Sequence, residues 1–375
     1  MSTLLLLGGN DRSLWANRGD LIALLLTEGW DVQAALPPQG AVHHTPLHDI
    51  PTHRVPIERT GMNPLADLKA VRRVRALITK VAPDAVLAYN PKPVIFGGLA
   101  LKALPDVHFV ALITGRGALE RRPGLKGWLA YYGLAALYRR ALGRPDVLLF
   151  QNDDDRALFD RHFGTERLPV VEVIPGSGVN LERFPRRPLP TEEPRFLMIT
   201  KLLIDKGIRE FVQAARELEK SVPRCRFRIV GGHDPSLPHA LPAAELEDWK
   251  REGLIEFIGR VDDVRPHLAW CTVLCHPSYA EGTPRAVLEA LSTGRPVITS
   301  DAPGCRQTVE ECVSGFIVPP REHGPLASRM RILAREPQRV RRMAEAAWER
   351  ARDVYDVHKV NARILEHLAE GVRVA

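Results

Sequence analysis

The chain has 375 residues, of which 45% are hydrophobic and 26% charged, and its formal net charge is +7. This length exceeds what one hydrophobic core usually organises and predicts two domains, while the charged fraction is typical of a soluble globular protein. No apolar run approaches the roughly 20 residues that a membrane-spanning helix needs. The apolar start, MSTLLLLGG, lacks a basic leader and predicts a first strand rather than a signal peptide.

The first half of the sequence alternates apolar runs with amphipathic segments. Alternating strands and helices with short connections predict a parallel sheet covered on both faces by helices. The three aspartates at 153–155 follow an apolar run and predict a helix start rather than a metal clamp. We predict strands at 4–9, 30–37, 84–90, 108–115, 146–152 and 170–176, a helix at 17–29 and a basic amphipathic helix at 64–81.

A proline-rich stretch at 174–194 predicts a linker between two domains. We expect doubly wound α/β domains at 1–180 and 181–350, and a C-terminal helix, 351–375, that crosses back to the first domain. Ligands of such domains bind at the carboxyl ends of the strands, which would face each other across a shared cleft. The second series has predicted strands at 196–200, 226–232, 255–261, 273–278, 296–301 and 315–320, and helices at 207–221, 243–252, 263–269, 284–293, 323–336 and 337–372.

Motif spacing and composition disfavour several classes of protein. Neither half carries the G-x-G-x-x-G fingerprint with a later acidic residue, which argues against a dinucleotide-binding dehydrogenase. The five cysteines match no metal-ligand spacing, so we expect buried, reduced thiols. The positive charge suits nucleic acid, an anionic lipid surface or a phosphorylated ligand, and an arginine-rich proteome would also produce it.

The segment SYAEGTPRAVLEALSTGRPVITSD, residues 278–301, contains the clearest functional signal. It predicts a strand exit followed by a short helix, with Thr283 as the N-cap, Pro284 as the first helical residue and Gly294 at the carboxyl end. Amides at the start of a helix form an anion site, and Gly282 permits a ligand to approach closely. A diphosphate would fit there.

Glu289 lies within the apolar helix of this segment, where an ionised carboxylate is costly unless it is paired or hydrogen-bonded. Two interpretations are open. Arg295 or Arg306 could form an internal ion pair with Glu289, or its carboxylate could accept hydrogen bonds from a vicinal diol such as a nucleotide ribose. In the second case Glu281, in the preceding loop, would face the sugar beyond the phosphates.

Two lysines, Lys201 and Lys206, follow the first predicted strand of the second domain. Surface lysines are usually solvated, but these two lie at the ligand-binding end of a parallel sheet, with Asp205 as a candidate N-cap of the next helix. Two ammonium groups could neutralise a leaving diphosphate as the sugar–phosphate bond breaks. No metal would then be needed, and we expect no metal site.

The motif E-G-T-P-R-A-V-L-E-A, with the two lysines and the later G-R-P-V-I-T-S-D-A-P-G-C-R, resembles the retaining glycosyltransferases of family 4, which have the GT-B fold. The resemblance extends over nearly the whole chain. Further segments resemble the branch of this family that extends polyprenyl-diphosphate-linked sugars: YNPKPVIFGGLA (89–100), LITGRG (112–117), FQNDDDRALF (150–159) and IPGSGVNLERF (174–184).

The resemblance implies roles for individual residues. Glu281 would contact the hydroxyls of the donor sugar and act in catalysis with Lys206 and Lys201, which hold the diphosphate. Glu289 would bind the ribose of the nucleotide. The implied reaction moves a hexose or N-acetylhexosamine from a UDP-sugar to a polyprenyl-diphosphate-linked saccharide, with retention of configuration and without a cofactor. The donor pocket would be lined by Gly282, Thr283, Pro284 and Arg285.

The sequence departs from the family pattern in several places. Lys201 stands where arginine is more usual, Thr283 where this branch often has leucine, and Arg116 within a stretch that often reads T-G-L-G. The histidine that many members carry in the first domain has no match at Thr114 and Gly115, so we nominate no catalytic base.

The segment at 121–144 has six basic residues and no acidic one, with Trp128, Tyr131, Tyr132 and Tyr138 among its leucines. It predicts either a helix lying on an anionic leaflet or a core-packing helix with a solvated basic face, and a lipid-linked acceptor favours the first. We expect a cytoplasmic protein at the inner face of the cell membrane. Candidate acceptor or membrane contacts are Asn17, Asn90, Lys92, Thr114, Gly115, Arg116, Arg121 and Arg122.

Three other functions are weighed against this one. A non-hydrolysing nucleotide-sugar epimerase would need acid and base groups around the sugar that these motifs do not supply. A non-catalytic nucleotide-sugar-binding protein would keep donor affinity without transfer. A nucleic-acid-binding protein is suggested by the basic charge alone, because the sequence shows no helix-turn-helix or base-stacking platform.

Overall fold

The structure is a computed structural model and describes residues 1–38, 49–57, 64–115, 125–190 and 193–373. The chain divides into two compact units. Unit 1 comprises Met1–Ser177 and His358–Ala375, and unit 2 comprises Gly178–Val357. The expected boundary after residue 180 lies close to this division, and the structure divides the C-terminal segment expected at 351–375 at Val357.

Unit 1 contains a parallel sheet of seven strands in the order β3-β2-β1-β4-β5-β6-β7. The strands are β1 (Thr3–Leu7), β2 (Asp31–Leu36), β3 (Thr52–Arg54), β4 (Ala85–Tyr89), β5 (His108–Ile113), β6 (Val147–Phe150) and β7 (Val170–Val173). The helices are α1 (Asp11–Thr27), α2 (Pro64–Val81), α3 (Pro91–Leu101), α4 (Leu125–Ala141), α5 (Asp153–Phe163) and α12 (Val357–Arg373).

The central strands of unit 1 are apolar on both faces because helices cover both sides of the sheet. In β1, Leu5 and Leu7 point into one core with residues of α2, α3 and α4. Leu4 and Leu6 point into the opposite core with residues of α1 and α12. The period of two in a strand therefore explains why an uninterrupted run of leucines forms β1.

Unit 2 contains a parallel sheet of six strands in the order β10-β9-β8-β11-β12-β13. The strands are β8 (Arg195–Ile199), β9 (Arg226–Val230), β10 (Ile255–Gly259), β11 (Val273–His276), β12 (Val297–Ser300) and β13 (Gly315–Val318). The helices are α6 (Ile208–Ser221), α7 (Ala243–Glu252), α8 (Arg265–Trp270), α9 (Arg285–Ser292), α10 (His323–Arg335) and α11 (Pro337–Val354). The prediction of two doubly wound parallel-sheet domains is confirmed.

Each sheet reverses its strand order once. In unit 1 the chain moves outwards from β1 to β3 and then returns to place β4 beside β1, and in unit 2 β11 pairs with β8 in the same way. At such a point the two exit loops diverge and leave a crevice at the carboxyl ends of the strands, where α/β domains bind their ligands.

The predicted long helix at 337–372 is wrong in one respect, because the chain is interrupted between α11 and α12. Val179 N donates to Tyr355 O at 2.7 Å, and Val357 N donates to Val179 O at 3.0 Å. A Cβ at Gly178 would lie 2.6 Å from the Cα atom of Val357. The backbone of this break therefore bonds to the start of unit 2 instead of continuing the helix.

The first helix begins earlier than the predicted residue 17. Asn10 is its N-cap, and the side-chain oxygen of Asn10 accepts a hydrogen bond from Ser13 N at 2.8 Å. Asn17, expected near the helix start, consequently lies in the second turn, where its amide donates to Ser13 Oγ at 3.2 Å. The helix start predicted at the three aspartates is confirmed, since α5 begins at Asp153.

The cysteines are free thiols, but the expectation that all five are buried is wrong for Cys312. This residue lies in an exposed turn, where its backbone has φ = +65°. None of the helices in the described part of the chain combines the length and the apolar character that crossing a bilayer requires.

Gly207 connects the exit of β8 to α6 and provides a test of how closely the strand exits pack. Its φ is +74°, and a Cβ there would lie 2.1 Å from the carbonyl oxygen of Pro277, which follows β11. Gly253 has nearly the same φ, +73°, with no atom near the position of a Cβ. We expect Gly253→Ala to lower the free energy of unfolding by about 1–2 kcal/mol, which is the cost of holding alanine in the left-handed conformation.

Gly207→Ala should lower the free energy of unfolding several-fold more than Gly253→Ala does. It adds a steric clash to the same cost of the left-handed conformation. Thermal unfolding of the two variants, which lie in the same unit, measures the difference. Equal losses in Tm would show that the exits of β8 and β11 are not in tight contact.

Candidate functional site

The carboxyl ends of β8 and β11 bring together two charged residues from distant parts of the sequence. Lys206 lies in a short 3₁₀ helix, Ile204–Lys206, after β8, and Glu281 lies in the loop after β11. The Lys206 Nζ atom is 2.8 Å from Glu281 Oε1, and the two side chains are 19% and 21% exposed. The site is thus a half-buried ion pair at the point where the strand order of unit 2 reverses.

Backbone contacts hold the Glu281 loop from two sides. Tyr279 N donates to Asp205 O at 2.9 Å, and Glu281 N donates to Pro303 O at 2.9 Å. A Cβ at Gly304 would lie 2.0 Å from the Glu281 carbonyl oxygen, so only glycine permits this approach. The backbone position of Glu281 is therefore fixed by two neighbouring loops.

The prediction that Asp205 caps the following helix is wrong. Asp205 lies inside the 3₁₀ helix, and the residue directly before α6 is Gly207. The left-handed conformation of Gly207 turns the chain into α6 where β8 and β11 leave little room for a side chain. The backbone carbonyl of Asp205 bonds instead to the β11 exit.

His276, the last residue of β11, is a part of the site that sequence reasoning missed. It is 4% exposed, and its Nε2 atom lies 3.3 Å from Glu281 Oε1. Ser278 Oγ also donates to that oxygen, at 3.1 Å. Because an ionised carboxylate only accepts hydrogen bonds, Nε2 carries the proton. A histidine within the otherwise apolar run VLCH was the available signal.

These partners keep Glu281 ionised. Burial opposes its ionisation, but the hydrogen bond from His276 and the charge of Lys206 outweigh burial and lower the pKa of Glu281 to about 2. The same pairing raises the pKa of Lys206 in spite of the desolvation that burial imposes. The pair is therefore a carboxylate and an ammonium group at neutral pH.

The helix after the Glu281 loop starts one residue later than predicted. Pro284, not Thr283, occupies the N-cap position with φ = −73° and ψ = 112°, and α9 begins at Arg285. Thr283, which precedes the N-cap, donates through Oγ1 to Gly282 O at 3.0 Å. The amino end of α9, with its positive partial charge, lies directly after the loop that carries Glu281. The end predicted at Gly294 is confirmed by its φ of +74°.

Glu289 is 8% exposed and has an internal ion-pair partner. That partner is Arg285, whose Nη2 atom donates to Glu289 Oε1 at 2.8 Å. Residues four apart lie on the same face of a helix, which brings the two side chains together. Burial raises the pKa of Glu289, and the charge of Arg285 opposes this rise.

The two arginines considered as partners of Glu289 are engaged elsewhere, so that part of the prediction is wrong. The Arg295 guanidinium is fully buried and donates to the carbonyls of Leu268, Arg187 and Pro188 at 2.8–3.0 Å. Arg306 Nε donates to Asp301 at 2.6 Å. These contacts join both guanidinium groups to partners other than Glu289.

Lys201 lies two residues after β8, and its side chain is exposed. Its charge contributes to lowering the pKa of Asp234, after the hydrogen bonds that Asp234 accepts from Ser236. The structure therefore places Lys201 and Lys206 at the exit of the same strand, and Lys206 is hydrogen-bonded to Glu281.

The candidate acceptor residues of unit 1 gather at the exits of β4 and β5. The Asn90 amide donates to Thr114 Oγ1 at 3.0 Å, and Asn90 has φ = +73°. Gly115 follows with φ = +135°. Lys92 forms an ion pair with Asp67 of α2 at 2.8 Å. The predicted contacts Arg116, Arg121 and Arg122 lie outside the described residues.

The described part of the basic segment 121–144 packs partly inwards. Tyr138 of α4 is fully buried against Phe159, with ring centroids 5.3 Å apart. Tyr132 is exposed, as are Arg139 and Arg140. The C-terminal half of α4 is thus a core helix with a basic outer face.

The low pKa of Glu281 generates a prediction about stability. A carboxyl whose pKa falls from 4.5 to about 2 on folding stabilises the fold above pH 4.5 and loses that contribution as the pH falls towards 2. We expect Glu281→Gln to destabilise unit 2 by on the order of 3 kcal/mol at pH 7. Urea unfolding at a series of pH values from 7 to 3 should show that the difference in the free energy of unfolding between this variant and the wild type becomes smaller as the pH falls.

Glu247→Gln is the matched control, because Glu247 forms an exposed ion pair with Lys250 on α7 at 2.7 Å. Exposed pairs contribute little, so this variant should stay close to the wild type throughout. A Glu281→Gln difference that is independent of pH would contradict an ionised, stabilising Glu281.

The comparisons with known proteins agree with the geometry. A family model described as Glycosyl transferase 4-like domain matches residues 17–176, and one described as Glycosyl transferases group 1 matches residues 193–336. The sucrose-phosphate synthase of Thermosynechococcus elongatus superposes with a TM-score of 0.83 at 18% identity, covering 100% of both chains. The expected GT-B fold is confirmed.

Two relatives are similar over most of their length. The N,N'-diacetylbacillosaminyl-diphospho-undecaprenol alpha-1,3-N-acetylgalactosaminyltransferase of Campylobacter jejuni is 25% identical over 82% of this chain and 82% of the relative. The UDP-Gal:alpha-D-GlcNAc-diphosphoundecaprenol alpha-1,3-galactosyltransferase of Escherichia coli is 25% identical over 79% of this chain and 78% of the relative. With the two family models together matching more than half of its residues, the chain belongs to the group 1 glycosyltransferases, with a family 4-like amino-terminal domain.

Proposed function

We propose that the protein transfers a hexose or an N-acetylhexosamine from a UDP-sugar to a polyprenyl-diphosphate-linked saccharide, with retention of configuration and without a metal, in the synthesis of a surface glycan or a glycoprotein oligosaccharide. The observation that carries the proposal is the Lys206–Glu281 ion pair at the strand-order reversal of unit 2, directly before the amino end of α9.

The donor diphosphate would bind where positive charge is concentrated. Lys206, Lys201 and the amino end of α9 with Gly282 provide it, while Thr283, Pro284 and Arg285 would line the same pocket. The ribose would bind Glu289, whose Oε1 already accepts from Arg285 and whose carboxylate has capacity for further hydrogen bonds. The charge of Arg285 opposes the rise in the pKa of Glu289 that burial causes, and so favours the ionised carboxylate that would accept from the diol.

Glu281 would orient the donor sugar by accepting hydrogen bonds from its hydroxyls. Its low pKa suits this role, because a carboxylate that remains ionised is a strong acceptor. His276 and Ser278 both hydrogen-bond to Oε1 of Glu281 and so would hold the carboxylate in a fixed orientation for a ligand. His276 is a positioning residue in this proposal.

The chemical step would take place on one face of the donor sugar. The bond from the anomeric carbon to the UDP phosphate oxygen breaks, the acceptor hydroxyl oxygen bonds to the same face, and the leaving phosphate oxygen takes the hydroxyl proton. Negative charge grows on the diphosphate, and the ammonium groups of Lys206 and Lys201 stabilise it electrostatically. The protein otherwise contributes positioning, and the proposal assigns no residue as a catalytic base.

The names of the relatives support the acceptor and the donor. The Campylobacter relative is named for a diphospho-undecaprenol-linked saccharide, and the Escherichia relative for UDP-galactose and a diphosphoundecaprenol-linked sugar. A lipid-linked acceptor would place this protein at the inner face of the cell membrane. The exposed Arg139 and Arg140 of α4 are consistent with an anionic surface nearby.

The first experiment is a screen of nucleotide-sugars with a short-chain polyprenyl-diphosphate sugar as acceptor. We expect one UDP-sugar to be consumed at least tenfold faster than the others, with proton NMR showing the anomeric configuration of the donor in the product. Activity should persist in EDTA. An epimerised UDP-N-acetylglucosamine formed without acceptor would instead indicate an epimerase, and donor binding without turnover a non-catalytic protein.

Two substitutions test the donor site. Glu289→Ala should raise the donor KM by about 10–100-fold, since a buried hydrogen-bonded group to the ribose is lost. Lys206→Ala should lower kcat by about 100-fold, because charge developing on the leaving diphosphate loses a partner. Steady-state kinetics with the preferred donor measure both effects.

The pair Glu247 and Lys250 provides controls of the same chemistry away from the site. Glu247→Ala and Lys250→Ala should leave KM and kcat within about twofold of the wild type, as expected for an exposed pair. Wild-type kinetics in both Glu289→Ala and Lys206→Ala would overturn the site assignment.

A further inference from the structure

The outer face of α2, in unit 1, has a charge distribution that packing of the fold does not explain. The inner face of this helix contributes Ala70, Val74 and Ile78 to the core beneath the sheet. The outer face is exposed and carries five basic side chains along three turns: Lys69, Arg72, Arg73, Arg75 and Lys80. A solvated helix surface usually mixes both signs of charge, and this one does not.

Two exposed leucines extend the same face towards the amino end of α2. Leu65 is 79% exposed and Leu68 is 50% exposed. At 100° per residue, the leucines and the five basic residues fall within an arc of roughly 160°. The one acidic residue of α2, Asp67, points away from this arc and pairs with Lys92. The surface is thus an apolar tip followed by a basic stripe.

The position of α2 in the fold shows which edge of the sheet lies beside the exposed leucines. In a parallel sheet a helix that leads into the next strand starts at the carboxyl edge of the sheet, so the leucines lie at that edge. The ion pair between Asp67 and Lys92 ties the first turn of α2 to the residues that follow β4. The candidate acceptor residues Asn90 and Thr114 lie at the same edge.

We propose that the outer face of α2 docks on an anionic membrane surface, with Leu65 and Leu68 entering the headgroup region and the basic stripe meeting lipid phosphates. The proposal rests on the proposed function, because a lipid-linked acceptor would reach unit 1 from the membrane. Charge complementarity carries the assignment: an arc without an acidic side chain matches a leaflet rich in anionic lipid. Docking would set the carboxyl edge of unit 1 against the membrane.

Nucleic acid would also attract a basic stripe, but it offers no apolar region to receive exposed leucines. An interfacial helix combines apolar and basic groups on one face, and each contributes to membrane binding separately. The two contributions respond differently to salt, because raising the ionic strength from 0.1 to 1 M shortens the screening length from about 10 to 3 Å. Binding to a membrane should therefore persist in part at high salt, whereas binding to nucleic acid should not.

The test is sedimentation of the full chain with vesicles of phosphatidylglycerol and phosphatidylcholine. The double variant Arg72→Glu, Arg73→Glu should bind at least tenfold more weakly at 0.1 M salt. The matched control is Arg341→Glu, Arg342→Glu, which reverses two adjacent exposed arginines on α11 of unit 2 and should bind like the wild type. Equal losses of vesicle binding in both double variants would show that net charge alone controls binding, and would overturn the proposal.

The apolar tip has its own variant and control. Leu65→Asn, Leu68→Asn should weaken vesicle binding about tenfold at 1 M salt, where the basic stripe is screened. Val313→Asn, at an exposed apolar position of unit 2, should have no effect. Wild-type binding by the leucine variant, or binding of duplex DNA that the Arg72→Glu, Arg73→Glu variant loses while vesicle binding is unchanged, would overturn the proposal.

Transfer assays separate this inference from the proposed function. With a short-chain acceptor in detergent, the α2 variants should keep wild-type rates, and with the acceptor embedded in vesicles they should be about tenfold slower. No transfer by the wild-type protein in detergent would contradict the proposed function, whereas equal rates of wild type and variants on vesicles would contradict the role of α2.

Discussion

The close approach of β8 and β11 at their carboxyl ends is the constraint on which the candidate site depends. Gly207 has no room for a Cβ beside the carbonyl of Pro277, and Gly304 has none beside the carbonyl of Glu281. These contacts bring the 3₁₀ helix of Lys206 against the loop of Glu281. The 2.8 Å ion pair between them is therefore a product of backbone packing rather than of sequence proximity.

Half-burial gives the charged groups of the site their properties. A buried ion pair contributes little net stability once desolvation is counted, unless further hydrogen bonds satisfy its members. Here His276 and Ser278 both contact the oxygen of Glu281 that Lys206 binds, and the pKa of Glu281 falls to about 2. Glu289 shows the opposite balance: burial raises its pKa in spite of Arg285. The two carboxylates of one motif are thus tuned in opposite directions by their surroundings.

Unit 1 uses the same architecture with a different set of charges. Its strand exits carry the neutral, hydrogen-bonded pair Asn90 and Thr114 and the ion pair of Lys92 with Asp67. Exposed basic side chains lie on the outer faces of α2 and α4. The last helix, α12, packs on this unit through an apolar face and through Arg363 and His367, which both contact Glu172. The candidate donor site of unit 2 thus has an ion pair at its strand exits, whereas the basic stripe of α2 in unit 1 lies on an outer helix face.

The sequence alone determined the alternation of strands and helices, the two-domain division and the two glutamates, because apolar periodicity and turn residues act over a few positions. The helix at 64–81 was predicted with its observed limits. Contacts between distant segments were decided by tertiary structure. Local patterns could not show that His276 would reach Glu281, or that residues 355–357 would bond to Val179 and interrupt a helix, since each depends on where the sheet places its loops. The pairing of Arg285 with Glu289 differs, because their spacing of four residues within one helix is a local signal that was present in the sequence.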